Sequence, residues 1–193
     1  MRKDLVTDIK SSFLSCEKDC ETILKKLFVE HPAEAEDLKR LLLINTKNCL
    51  DDRESEVIKN TLREKGSVMN LVKEGYIKLS PKIEFMESNE IRAYIMISFD
   101  NFTTNSHNPE FRDCTVAFDI ICHTDYWDLG NFRLRPLKIL GYIDGLLNGA
   151  KLSGIGVLNF LGANEVVLGE NLSGYTLIYQ AIHGSDDIIP VEE

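Results

Sequence analysis

Arg92-Ala93-Tyr94-Ile95-Met96-Ile97-Ser98-Phe99-Asp100, followed by Thr115-Val116-Ala117-Phe118-Asp119-Ile120-Ile121-Cys122-His123, decides the fold class. In the first stretch Ala93, Ile95, Ile97 and Phe99 fall on one side, and Tyr94 and Met96 on the other, so both faces are expected to be covered. In the second, Val116, Phe118, Ile120 and Cys122 alternate against Thr115, Asp119 and His123. A period of two is the mark of a strand. A third such stretch lies at 175–183, where Tyr175, Leu177, Tyr179 and Ala181 alternate against Thr176, Ile178 and Gln180.

Outward from these strands, 83–86 reads as a short strand, and 157–161 with 165–168 as a hairpin or one bent strand. Residues 101–112 read as a polar loop that exposes Phe102, Phe111 and Arg112, and a loop of that length between strands is often functional. Residues 133–148 have helical spacing, with Leu134, Leu137, Leu140, Ile143 and Leu147 as the apolar face. Pro136 sits in the first turn, where proline is tolerated, and Gly149 ends the helix.

The first part of the chain has a different period. Leu5, Ile9, Phe13, Cys16, Cys20, Ile23, Leu24 and Leu27 recur at steps of three and four, as on an amphipathic helix over 4–28. His31-Pro32 breaks it. A second helix is expected over 33–50, with Leu38, Leu41, Leu42 and Leu50 inward. Asp51-Asp52 would cap a third of about 20 residues, burying Val57, Ile58, Leu62, Met69 and Val72 and stopping at Gly75. The fold class is therefore α+β: an antiparallel or mixed sheet of about five strands with one packed helix, preceded by three helices. The organisation reads as a helical region over 1–79, an α+β domain over 80–187 and an acidic tail over 188–193.

The formal net charge of −9 is unevenly placed. Residues 1–80 hold 15 basic and 15 acidic side chains, whereas 81–193 hold 7 and 16. An acidic domain does not bind nucleic acid by neutralising phosphates, so contact with DNA is expected to be repulsive or glancing. A plainer use of that charge is solubility. No apolar run reaches the length of a membrane span, and no signal peptide is expected behind Met1-Arg2-Lys3-Asp4. The five cysteines, an odd number, are expected to be reduced thiols of an intracellular protein.

Several residues invite a chemical reading. Cys16 and Cys20 lie one helical turn apart, but a zinc site needs two more ligands, and both fall on the apolar stripe where cysteine packs as a small hydrophobe. Cys122-His123 resembles half of a nucleophile–base pair, yet neighbours on a strand point to opposite faces, so His107 would have to serve as base. Glu84, Asp100, Asp119 and Asp125 could hold magnesium in a nuclease, but no acid-x-Lys follows and the surroundings are acidic. Gly154-Ile155-Gly156 lacks the third glycine of a dinucleotide fingerprint and precedes a strand, so it reads as turns. No catalytic residue, cofactor or metal is expected. Two stretches remain as candidate partner contacts. One is Phe102 with His107, Asn108, Pro109, Glu110, Phe111 and Arg112; the other is the turn holding Trp127, Phe132, Arg133 and Arg135. Trp, Tyr and Arg are enriched where interfaces concentrate their energy. The plainer use of Trp127 and Phe132 is to cap the core.

Over about 80–187 the chain resembles the tail-terminator, or tail-completion, proteins of long-tailed bacteriophages and contractile phage-like particles. The resemblance runs through Ser80-Pro81-Lys82-Ile83, the strand to Phe102, and Asn108-Pro109-Glu110-Phe111-Arg112-Asp113. It continues through Phe118-Asp119-Ile120-Ile121-Cys122-His123, the tryptophan turn, Arg133-x-Arg135-Pro136 and Gly174-Tyr175-Thr176-Leu177-Ile178-Tyr179. It implies a structural virion protein without enzymatic activity, assembled in the host cytoplasm. Its homo-oligomer would be a hexameric ring that caps the tail tube protein, stops tube growth and meets the head–tail connector or neck protein, with the tail sheath as a further neighbour. An acidic lumen would let DNA pass without specific binding. Three other readings stay open: a different head–tail joining protein, a nucleic-acid-processing enzyme using Asp100, Asp119 or His107, and a cytosolic interaction domain.

Overall fold

Helices pack on one face of a mixed sheet. The computed structural model describes residues 16–79, 92–107 and 111–183. The expected strand at 83–86, most of the expected first helix, Asn108, Pro109, Glu110 and the acidic tail lie outside them. Four helices come first: α1 (Cys16–Phe28), α2 (Pro32–Leu43), α3 (Glu56–Lys65) and α4 (Val68–Lys73). Then follow β1 (Ile77–Lys78), β2 (Ala93–Thr104) and β3 (Arg112–His123), a 3-10 turn (Thr124–Tyr126) and α5 (Arg135–Leu147). The short β4 (Lys151–Leu152) and β5 (Gly156–Val157) pair with each other, and β6 (Asn159–Val167) and β7 (Leu172–His183) end the described chain. The five-stranded sheet has the order β1-β2-β3-β7-β6, antiparallel except for the β1–β2 pair. The expected α+β fold with a mixed sheet is thus what forms.

Alternation puts Ile95, Ile97, Val116, Phe118, Ile120, Leu177 and Tyr179 on one face, each at most 1% exposed. Phe118 and Tyr179 meet edge to face at 5.8 Å. Against this face lie Ile139, Ile143 and Leu147 of α5, and α5 in turn packs on α1 and α2. Ile23, Leu27, Leu38 and Leu41 of those helices belong to the same continuous core as the sheet. Each such buried aliphatic contributes about 1.5–3 kcal/mol relative to an exposed one.

Four expectations change. The single helix expected after Asp51-Asp52 is two. A Cβ at Gly66 would lie 2.4 Å from the Leu62 carbonyl oxygen, so the chain turns there at a residue without one. Ser55 and Ser67, rather than the aspartates, cap α3 and α4 by accepting from the Ile58 and Asn70 amides. The break rotates the faces: Val57 and Met69, expected inside, are 75% and 79% exposed, while Ile58 and Leu71 are buried. Second, α2 ends at Leu43, and Leu50 packs on the core from an irregular connector.

Third, α5 turns Pro136 and Ile139 inward and leaves Leu137 at 42% exposed. Fourth, the loop expected over 101–112 is shorter than expected, because β2 runs on to Thr104 and β3 starts at Arg112. The register shifts between Asp100 and Thr103, and Asn101 sits there with φ 53°. That one-residue bulge moves every later side chain to the other face. Phe102 therefore packs half-buried against the core instead of standing in a loop. A second bulge, between Phe160 and Gly162, bends β6, which is one strand rather than a hairpin.

Candidate partner-binding surfaces

The turn from Trp127 to Arg135 is closed by backbone bonds. Leu129 N donates to Arg133 O at 2.9 Å, Arg133 N to Gly130 O at 3.0 Å, and Arg135 N to Trp127 O at 2.7 Å. Asp128 Oδ1 accepts from Gly130 N at 2.7 Å, an Asx-type turn. Gly130, Asn131 and Phe132 follow one another at φ 73°, 51° and 60°. Left-handed backbone is unfavourable for an aromatic residue, and such strain gathers at functional sites. It holds the Phe132 ring wholly in solvent, at 105% exposure.

Trp127 and Phe132 thus part company. Trp127 is half-buried against the core, with its ring 6.2 Å from that of Tyr175, and its buried Nε1 finds no hydrogen-bond partner among the described residues. Phe132 touches no core. Arg133 grips Asp51 through both terminal nitrogens, one bond at 2.9 Å, and also donates to the Leu129 carbonyl at 3.2 Å. Its guanidinium holds the Asp51 carboxyl below the usual carboxylate range. Lys47 does the same to Asp128.

Arg135, expected to meet a partner, is instead 1% exposed. It donates to the carbonyls of Tyr126 at 2.9 Å, Leu41 at 2.6 Å and Thr46 at 3.1 Å. Its guanidinium lies 5.6 Å from the Tyr126 ring centre. The reason is the connector over 44–55, which has few backbone partners of its own and needs donors from outside. Arg40, also 1% exposed, serves the other end, donating to Cys49 O at 3.2 Å and Asp52 O at 3.0 Å while paired with Glu36.

Two tyrosines of the same layer donate to carboxylates. Tyr142 gives its proton bond to Asp37 at 2.6 Å, beside Arg53, and Tyr179 gives its to Asp144 at 2.9 Å. Burial first, then the Asp37 bond and charge, pushes the Tyr142 phenol up to about 12, and burial with Asp144 raises Tyr179 also. A raised phenol stays protonated in the folded state while the unfolded chain ionises near its model value of 10.0. The stability it contributes is therefore whole below pH 10 and lost as pH rises through about 12. Alkaline titration followed by absorbance should show tyrosines that ionise only as the fold melts, and Tyr142→Phe should remove one of them.

The other surface is the β2–β3 hairpin. Asn105 is buried, donates to Asp113 Oδ1 at 2.7 Å and accepts from His107 N at 2.9 Å. His107 is exposed; Phe111 and Arg112 are half-buried. Hairpin and tryptophan turn lie at opposite ends of the twelve-residue β3, roughly 35 Å apart. The candidate contact residues therefore form two separate surfaces.

The face of the sheet away from the helices has its own character. Cross-strand partners share a face, which places Asp100 with Thr115, Ser98 with Ala117, Met96 with Asp119 and Asp119 with Thr176. Asp113 faces the same way, opposite Ile182. On β1, β2, β3, β6 and β7 the one basic residue on this side is Lys78, at the β1 edge above the Tyr94 ring. Among the described residues no helix packs on this face as α5 does on the other, although Met96 and Ile121 on it are buried. Asp119 accepts from the Thr176 hydroxyl.

The reactive-looking pairs separate. The Cys122 thiol is fully buried and pushed up to about 12 by desolvation. His123 faces the other side, and its Nδ1 accepts from Asp125 N at 3.3 Å. His107 stands at the far end of β3 from both. Among the described residues no three His, Cys, Asp or Glu side chains stand close enough to hold a metal ion. Nor is any described helix long and apolar enough to cross a membrane.

The buried arginines were missed in the sequence. Their one signal is position: Arg40 falls among the inward leucines of α2, and Arg135 stands one residue before the Pro136 that starts a buried turn. Comparison with curated proteins finds no match. A family model described as YomW matches residues 35–181, well over half of the chain, and the chain belongs to that family.

Proposed function

We propose that this chain is a structural protein of a phage-like tail, a terminator whose copies form a ring on the last layer of the tail tube. The observation that carries the reading is the two-sided sheet. Helices cover one face, and on the other the described strand residues include Asp100, Asp113 and Asp119 against the single lysine Lys78. Turned toward a channel, such a face repels phosphate and lets DNA slide. The strained, solvent-held Phe132 supports the second half of the reading, since a wholly exposed aromatic is suited to a neighbour's surface.

The test is negative-stain imaging of the purified protein mixed with tail tubes from the same particle. The expected result is a cap at one end of each tube and a narrow distribution of tube lengths. Phe132→Asp should lower the capped fraction by about tenfold, as loss of one interface anchor does, with an unchanged melting temperature. Wild-type protein that leaves the tubes bare would sink the proposal.

A further inference from the structure

The sheet ends on β6, which pairs with β7 on one side and with no strand among the described residues on the other. Seven of its nine residues are exposed, so solvent rather than a covering helix meets this edge. Two hydrogen bonds fix which backbone groups point outward. Leu168 N donates to Leu172 O at 2.9 Å, toward β7. Amides alternate in direction along an antiparallel strand, so those of Ala163, Glu165 and Val167 point away from β7. At the other end Phe160 N turns outward and donates to Asn148 Oδ1 at 3.4 Å. The extra residue in the bulge between Phe160 and Gly162 accounts for the change of phase.

Ala163, Glu165 and Val167 thus each offer an outward N–H and C=O at two-residue steps, the template for another strand. Proteins normally guard such an edge with proline, lysine or short length. From Gly162 to Val167 there is no proline and no basic residue, and the one charge is Glu165.

We propose that this edge pairs with β6 of a second copy of the chain, antiparallel about a two-fold axis at Asn164. The free main-chain groups make the occupant an extended strand, and the side chains make it a copy of this one. With the axis at Asn164, Ala163 exchanges ladder bonds with Glu165 of the second copy, and Glu165 with its Ala163. Exposed Leu161 meets exposed Val167. The two Asn164 amides face each other, and a primary amide carries both the donors and the acceptor that its own kind requires. Neighbouring registers lose this match. An axis at Glu165 sets like charges directly opposite, which is destabilising. An axis at Val166 leaves Leu161 without a partner, and one at Ala163 runs the ladder into the bulge. The contact is isologous and complete with two copies. It is therefore separate from the head-to-tail contact of a ring and goes beyond the terminator reading.

Sedimentation equilibrium of the full chain, without tubes, tests it beside a disulfide trap. The expected wild-type species is a dimer. Glu165→Pro removes an outward amide from each copy but no bond to β7, since an edge strand tolerates proline where its N–H faces away. The dissociation constant should rise at least about tenfold, with the melting temperature little changed. Asn164→Cys does not depend on that variant folding. It sets two thiols across the axis, where opposed residues of a non-hydrogen-bonded pair have Cα atoms about 4.5 Å apart, within the span of a disulfide. Mild oxidation should link copies from 164 to 164, while Val166→Cys should give no more product than the native thiols of the wild type. A wild type that stays monomeric up to about 0.1 mM, a dimer that folded Glu165→Pro leaves intact, or linkage at 166 as strong as at 164 would overturn the inference.

Discussion

Gly174→Ala is expected to leave almost no folded protein. Gly174 lies in β7 between two neighbours, opposite Ile121 of β3 and Val166 of β6. A Cβ there would stand 1.7 Å from the Ile120 carbonyl oxygen and 2.8 Å from its carbon. Both atoms are backbone of the central strand, which is bonded along both edges, so neither can swing aside as a side-chain tip would. The β3–β7 pairing, the longest in the sheet, would have to separate. A loss above about 4–5 kcal/mol is expected, against a total stability on the order of 5–15 kcal/mol for a domain. Soluble yield and circular dichroism read the outcome directly. A soluble variant that melts within a few degrees of wild type would mean that β3 and β7 do not pack in the register described.

The second large effect is at Arg135. Arg135→Met keeps the volume and apolar stem of the side chain and removes the donors. The carbonyls of Leu41, Thr46 and Tyr126 then lose the guanidinium donors in a buried layer, Thr46 keeping the Cys49 amide at 3.4 Å. Breaking a buried charged cluster of this kind costs about 3–5 kcal/mol, which for a chain of this size lowers the melting point by on the order of 10 °C. Arg135→Lys should rescue little, because an ammonium on a flexible stem cannot meet three carbonyls spread in a plane. Urea titration of both variants measures it. A loss under about 1 kcal/mol would show that water replaces the guanidinium and that the cluster is not structural. Arg133 is the contrast: its pairing with Asp51 is at the surface, and its removal should barely move the midpoint.

What could be read in the sequence was whatever has a period. The alternations over 92–100, 115–123 and 175–183 gave the strands and their faces, because burial on one side of a sheet enforces a strict repeat of two. Helical spacing gave α1, α2 and α5. What escaped were single-residue events. Gly66 cuts one helix into two, although Ser55 and Ser67 each stand where a cap belongs. Asn101 adds one residue to β2 and carries Phe102 from an expected loop onto the core. Neither shifts composition or period enough to register in a window of ten residues.

The candidate site was legible in part for the same reason. The tryptophan turn stood out by residue type, and Phe132 and Arg133 are at the surface there. Arginine as a residue type does not reveal whether it will face water or gather carbonyls, so Arg135 was placed outside when it lies inside. Asn108, Pro109 and Glu110 lie outside the described residues.

Arg40 and Arg135 read the connector over 44–55 by its peptide carbonyls at Thr46, Cys49 and Asp52, not by its side chains. Every amino acid presents the same carbonyl. Over evolutionary time the connector is thus at liberty to drift in sequence, so long as its path and length hold, while the two arginines are not. A family alignment should show this as an inversion of the usual pattern, with a variable segment flanked by two fixed polar residues that touch no ligand. Conservation at those two positions would then record the history of the scaffold rather than mark an active centre.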